Sequence, residues 1–362
     1  TYKPTTATSR FAWFLLRSNV AVYGGFAGTE TNLAQRNWIA HPTVLSGDIG
    51  SVGVATDNCY HVVACVSNTV GAVLDGFTIR DGYANGPNHG TGGGGGNSTS
   101  PDAVMSGINH GTGAGLLNFR AAAWVRRCVF TNHYAGKGGG AYNMCSTNIG
   151  GSALNPVPVF EDVTFAGNHA TARGGGVSDD TWTHPRFVNC RFLGNTCDAK
   201  GGGLYNDFSC SPSFTNCLFA GNYALQAAAL GNDGSSSPLL VNCVFFDNEA
   251  WDQGAAVYNG SHGVGAAGNN PVLINCVLWS NRVTTAGPAD FTTWHDNDPQ
   301  ATHSIVESSW PGAGNLTNHP LLDAGFRPAA GSPCVDAGTN VAGLASDLDG
   351  VPRPLDGDDN GL

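Results

Sequence analysis

Asp179 and Asp180 are neighbouring carboxylates in the stretch VSDDTWTHPR, with Trp182, His184 and Arg186 just behind them. A carboxylate pair, or a carboxylate with a cation, on one sheet face is the equipment of a β-helical glycosidase or lyase. One group moves the proton while the other steadies the developing charge. If the chain is an enzyme acting on polysaccharide, Asp179, Asp180 and Arg186 are its candidate catalytic residues. The groove would then lie beside the Gly/Asn-rich segments 84–113 or 146–158, with Arg120 or Arg126 as alternative cations. Trp182 and Trp251 are candidates for stacking on sugar rings, and Trp279, Trp294 and Trp310 could extend such a face. Asp356, Asp358 and Asn360 reproduce the first half of a calcium loop, D-x-D-x-N-G, without the closing bidentate acid. Calcium is therefore the one cofactor the sequence suggests. His169, His184, His295 and His303, with Asp296 and Asp298, lack a spacing that would put two of them on one strand face, and read as surface residues. No Cys-x-x-Cys or paired-His spacing suggests zinc.

The elements that carry these residues come from a repeat. FVNCRFLGNTCDAKGGGLYN (187–206) returns as FTNCLFAGNYALQAAAL (214–230), as LVNCVFFDNEAWDQGAAVYN (240–259) and, shortened, as LINCVLWSN (273–281). Segments 160–179 and 125–143 fit the same frame. Cys190 to Cys217 is 27 residues and Cys217 to Cys243 is 26. A fixed period of this length is the mark of a solenoid. Each repeat holds short apolar pieces with two-residue alternation and no helical run, so the pieces are strands. Three polar columns recur: Asn189, Asn216, Asn242 and Asn275; Asn132, Asn168, Asn195, Asn222, Asn248 and Asn281; and Asn143, Asp179, Asn206, Asn232 and Asn259. Asn tolerates left-handed turns, and stacked amides bond one another along an axis. Three turn columns predict three strands per coil in one all-β, right-handed parallel β-helix, the hand following crossover chirality. In this frame Asp179 is a ladder residue, and Asp180, matched by Asp207 and Asp233, an exposed acidic flank. Small residues at 138–140, 174–176, 201–203, 227–229 and 254–256 mark close backbone packing.

The helix is expected over 1–281, with loops projecting at 84–113, 146–158 and 260–271. An irregular Asp/Pro-rich capping region follows over 282–362. Sixteen Lys and Arg against 27 Asp and Glu give a net charge of −11. That balance argues against a nucleic-acid partner and against a site for polyanionic sugars. No stretch is long and apolar enough to be a transmembrane segment. Of the eleven cysteines, Cys128, Cys190, Cys217, Cys243 and Cys276 form one inward column and read as small buried hydrophobes. Cys59 and Cys65 stand too far apart along one strand run to bond each other. Cys197 with Cys210 could close a loop across one coil.

Several motifs carry a family resemblance: VAVYGGFAGTET (20–31), QRNW (35–38), PTVLSGDI (42–49), YHVV (60–63), the repeated NCxF, and GSPCVDAGTN with DLDGVPRPLDGD (331–358). They resemble the bacterial extracellular parallel β-helix proteins with a choice-of-anchor Q region. The FxxN and GG[GA] repeats are similar to those of polymorphic outer-membrane protein adhesins. The resemblance spans nearly the whole chain. It implies an extracellular, cell-surface location and a non-catalytic structural or adhesive protein, its partners being a surface glycan or further copies of itself. The family pattern adds a strand before Thr1 and a closing strand after Leu362. Copies with open ends are expected to stack end to end into filaments.

Overall fold

The computed structural model describes residues 1–66, 70–86, 109–145, 157–260, 268–285, 289–293 and 297–352. One coil shows the plan. Arg186–Val188, Arg191–Leu193, Thr196–Lys200 and Leu204–Asn206 are four short strands joined by tight corners. Each pairs in parallel with its counterparts in the coils before and after. Phe187 lies opposite Phe160 and Phe214, and Phe192 opposite Phe165 and Phe219. Repetition builds four parallel sheets, here I to IV in the order of those strands. Among the described residues they hold nine, nine, seven and nine strands, each sheet in sequence order. The architecture is a parallel β-helix without α-helix among the described residues; two single-turn 3₁₀ segments are its only helical pieces there.

Each complete coil holds four strands where three were expected. The additional strand is sheet III, whose inward column is Ala84, Ala135, Ala170, Cys197, Ala224 and Ala250, all buried. Such small inward residues give a segment like TCDAK no strong apolar alternation, so its strand character is weak in the sequence. Sheets I and II supply the bulk of the core. Phe160, Phe187 and Phe214 stack at 5.0 Å between centroids, and Phe192 and Phe219 at 4.4 Å. The two stacks meet edge to face, as between Phe187 and Phe192, the offset geometry that aromatic quadrupoles favour. At the corner between them lie Cys128, Cys190, Cys217, Cys243 and Cys276, buried as expected. The Gly and Ala triplets line the corner between sheets III and IV. There Gly174 has φ +64°, and a Cβ would meet the Val177 carbonyl at 2.1 Å.

The polar columns occupy three corners. Asn189, Asn216, Asn242 and Asn275 turn the chain from sheet I to II with φ of 52–55°, the left-handed conformation expected of Asn. The second column differs by one residue from the sequence reading. Phe130 aligns with Phe165, so His133, not Asn132, lies opposite Asn168. Asn132 instead shares the left-handed position of Gly167, Gly194 and Gly221. His133 does the work of an amide here: one ring nitrogen accepts the Gly82 N–H at 3.0 Å and the other reaches the Ile79 carbonyl at 3.0 Å. Each later member up to Asn248, such as Asn195, donates Nδ2–H to the preceding Phe carbonyl and to the next Asn Oδ1, at 2.9 and 3.1 Å, and Asn281 ends the column on the Phe245 carbonyl and Asp290.

The ladder of coils continues past residue 281, through strands Arg282–Val283, Phe291–Thr293, Gln300–Thr302 and Ile305–Val306. The end of the solenoid is then covered. Trp310 packs on Phe291 at 4.4 Å, and Leu316 bridges Ile305. From there the tail turns back along the outside of the coils. His319 meets Trp279, Phe326 meets Phe246, Thr339 exchanges two hydrogen bonds with Asn275, and the Ser346 carbonyl accepts from Asn216. The outer face of sheet II explains the route. It is mostly polar in the early coils (Thr78, Arg80, Thr131 and Thr164, with Val129 among them) and apolar in the late ones (Leu218, Val244, Phe246, Val277, Trp279), and the tail lies over the apolar part. Near the other end, Asp75 is buried between Arg36, at 2.7 Å, and Arg127. This triad fixes the QRNW connector to the coils. Burial opposes the Asp75 charge, but the two guanidiniums outweigh it and hold the carboxyl below its ordinary range.

Replacing Asn195 by Ala orphans the Asn168 amide hydrogens that bond its Oδ1 at 3.0 and 3.1 Å. The expected loss is about 3 kcal/mol, read from the urea midpoint at unchanged slope. Phe326→Ala should leave that midpoint almost unchanged but speed proteolytic cutting of the tail, because it frees the strap and not the coils.

Candidate functional site

Asp179 and Asp180 close the strand Val177–Asp180 in sheet IV, and alternation sends them opposite ways. Asp179 points into the solenoid, in line with Asn118, Asn143, Asn206, Asn232 and Asn259. The amides point one way along this column. Asn118 donates to Asn143 at 3.0 Å, Asn143 to Asp179 Oδ1 at 2.7 Å, Asn206 to Asn232 and Asn232 to Asn259, each at 2.9 Å. The one gap falls after Asp179. Its Oδ2 and the Oδ1 of Asn206, register neighbours, are both buried acceptors without a partner. A proton on Asp179 turns that acceptor–acceptor gap into an O–H···O bond. Burial pushes the Asp179 carboxyl up to about 8, which favours the neutral acid that this bond requires. It is a ladder rung, as the repeat implied, and has no access to substrate.

Asp180 faces the other way, yet is buried rather than exposed. Lys137 Nζ and the Tyr142 hydroxyl both reach its Oδ2 at 2.9 Å, and Thr181 donates to Oδ1 at 2.9 Å. Burial raises its pKa, but Lys137 and these hydrogen bonds outweigh that and keep it below its ordinary value. The pattern repeats down the rod. Arg173 pairs with Asp207, and Asp233 takes Lys200 at 3.4 Å and the Tyr205 hydroxyl at 2.7 Å. The expected exposed acidic flank is thus a line of enclosed ion pairs. The cations come from the ends of sheet III strands, a register the sequence alone does not reveal.

The remaining candidates do not converge. Arg186 is exposed on sheet I, on the opposite side of the wall from Asp179. Arg120 is buried against the Phe119 ring, and burial lowers its pKa. Arg126 lies over Trp124 and pairs with Glu161 at 3.1 Å. Trp182 (41% exposed) stands at the corner between sheets IV and I, whereas Trp251 (50% exposed) stands on sheet III. Trp279 and Trp310 pack against the tail and the last coil. Among the histidines, His169 bonds Thr196 on sheet III at 2.9 Å, His184 accepts the Ser211 N–H, and His303 sits at the corner between sheets I and II. The described residues hold no cluster of three or more His, Cys, Asp or Glu that could grip a metal. Trp294, His295, Asp296 and the calcium candidates Asp356, Asp358 and Asn360 lie outside the described residues, as do 87–108, 146–156 and 261–267 of the three expected loops. Cys197 and Cys210 are free thiols in separate places, one inside sheet III and one beyond sheet IV.

Two features escaped the sequence reading. One is a cleft of about 1040 Å³ between the tail and sheet II, lined by Asn242, Val244, Asn275, Phe326, Arg327 and Asp349 among others. It exists only because the tail folds back. The other is the outer face of sheet III, whose residues look unrelated until the register aligns them.

Two titrations follow from these environments. Asp179 binds its proton more tightly folded than unfolded, so its contribution is full below about pH 4 and is lost as pH rises toward 8. His133, buried neutral, is pushed down to about 4; its contribution is full above the unfolded value of 6.5 and is lost as pH falls through 4. Asp179→Asn restores an amide donor and should stabilise the protein at pH 8 by about 1–3 kcal/mol, with little gain at pH 4. His133→Asn should flatten part of the acid limb instead, while His61, held near 3 by burial, keeps the rest. Urea midpoints of the three proteins between pH 4 and 9 give both outcomes. No helix among the described residues is long and apolar enough to cross a membrane, and no family model, curated protein or solved structure matches the chain.

Proposed function

We propose that this protein is a non-catalytic, extracellular surface rod that works in adhesion or envelope building. The observation that carries this reading is the fate of its acidic residues. Asp179 bonds along the interior column, and Asp180, Asp207 and Asp233 are enclosed with Lys137, Arg173 and Lys200. Side chains that could have moved protons hold neighbouring coils together instead. A solenoid so reinforced makes a stiff spacer with long, repetitive outer faces, which suits display and contact more than turnover. The extracellular placement rests on the resemblance of the terminal motifs. Filament growth by end-to-end stacking would require the 307–316 segment and Trp310 to leave the last coil, so the reading takes the single rod as the working unit.

The test is incubation of the purified chain with neutral and acidic polysaccharides, reading retention and product length on the same samples. Retention of at least one polymer with unchanged chain length is expected. Shortened products that vanish in Asp180→Asn or Arg186→Ala would replace the rod with an enzyme. Sedimentation at high concentration should give a monomer; a concentration-dependent series of oligomers would restore the filament.

A further inference from the structure

The outer face of sheet III carries a compact grid of side chains. Strands Thr196–Lys200, Tyr223–Gln226 and Glu249–Gln253 lie side by side, with Cys197, Ala224 and Ala250 paired and pointing inward. Alternation then places two outward rows across three coils. Thr196, Tyr223 and Glu249 form one row; Asp198, Leu225 and Trp251 form the other. Tyr223, Leu225 and Trp251 are 41%, 42% and 50% exposed, so three large apolar groups sit together in solvent on two neighbouring coils. Such a patch on a rigid sheet marks a contact site.

The surroundings say what kind of ligand fits. Asp198, Glu249 and Asp252 rim the patch; His169 stands 3.5 Å from Asp198, Gln226 donates to Asp252 at 2.7 Å and Thr284 to Glu249 at 3.1 Å, and the remaining carboxylate lone pairs can accept hydrogen bonds from hydroxyls at its edges. The nearby cation Arg282 is already held by Asp247 at 2.7 Å and Glu249 at 2.8 Å. Lys200, at the far end of its strand, is turned to Asp233. A uronic or sulfated chain would therefore meet like charge, whereas a neutral sugar offers apolar ring faces for the aromatic groups and hydroxyls for the carboxylates. Adjacent coils are ~4.8 Å apart, close to the length of one pyranose unit, so consecutive sugars can follow consecutive coils. We infer that Tyr223, Leu225 and Trp251, with the flanking Asp198, Glu249 and Asp252, form a binding face for a neutral pyranose polymer lying along the rod.

This inference rests on the adhesive reading above and gives it a site and a ligand class. The full chain is titrated with gluco-, manno- and xylo-oligosaccharides, and with polygalacturonate as the acidic comparison, following tryptophan fluorescence and heat. A neutral oligosaccharide should bind, Trp251→Ala should weaken it about tenfold or more, and Trp182→Ala should leave it unchanged. Both side chains are exposed, so circular dichroism should show both variants folded. Binding that survives Trp251→Ala and Tyr223→Ala but falls with Trp182→Ala would overturn this face while leaving an adhesive rod. Preference for polygalacturonate would overturn the neutral-ligand assignment. Absence of binding to every sugar would overturn the inference, and retention on the wider polysaccharide panel would then decide the adhesive reading separately.

Discussion

Coils stacked in register at one spacing are the constraint on which the rest of this molecule depends. In such a stack each buried side chain meets its own copy above and below. A buried group must therefore be able to bond itself. Phenylalanine does so by ring stacking, alanine and glycine by close backbone approach, and asparagine because its amide is donor and acceptor at once. A carboxylate cannot, because it only accepts. The amide columns follow directly: each Asn can bond the amide of the next coil, and in the second column the same residue also answers a backbone carbonyl of the turn.

Departures from the amide rule keep the same hydrogen-bond logic. His133 opens the second column by offering one nitrogen as acceptor and the other as donor, so a neutral ring serves where an amide stands in later coils. Asp179 interrupts the third column and fits only with its proton on. Outside the wall, the same repetition brings Lys137, Arg173 and Lys200 beside Asp180, Asp207 and Asp233, one coil after another. The limited supply of cations in this acidic chain is thus partly committed to holding coils together. That commitment leaves the outer face of sheet III acidic and aromatic, which is the basis for assigning it a neutral ligand.

The tail shows how a solenoid meets its other difficulty, an exposed apolar end and an apolar outer face. Trp310 closes the last coil, and the chain then follows the only strip of sheet II where Val244, Phe246, Val277 and Trp279 face outward. The outward Asn ladder supplies the hydrogen bonds that guide it, at Asn275 and Asn216. The strap and the cleft beneath it are consequences of that strip.

By itself the sequence determined the repeat, the parallel coils, the Phe and Cys core columns, the small-residue corner and the reading of Asp179 as a rung. These depend on residues about 27 positions apart doing the same thing, and identity at a fixed period is visible in one dimension. The fourth strand, the place of His133 and the burial of Asp180 were decided by register. A one-residue offset, as between Asn132 and His133, changes which side chain enters the wall, and the inward alanines of sheet III leave no apolar signal to read. The separation of Trp182 from Trp251, the meeting of Tyr223, Leu225 and Trp251, and the path of the tail were settled only in three dimensions. They depend on which face a strand presents and on surfaces formed by several coils together, and a single repeat contains neither.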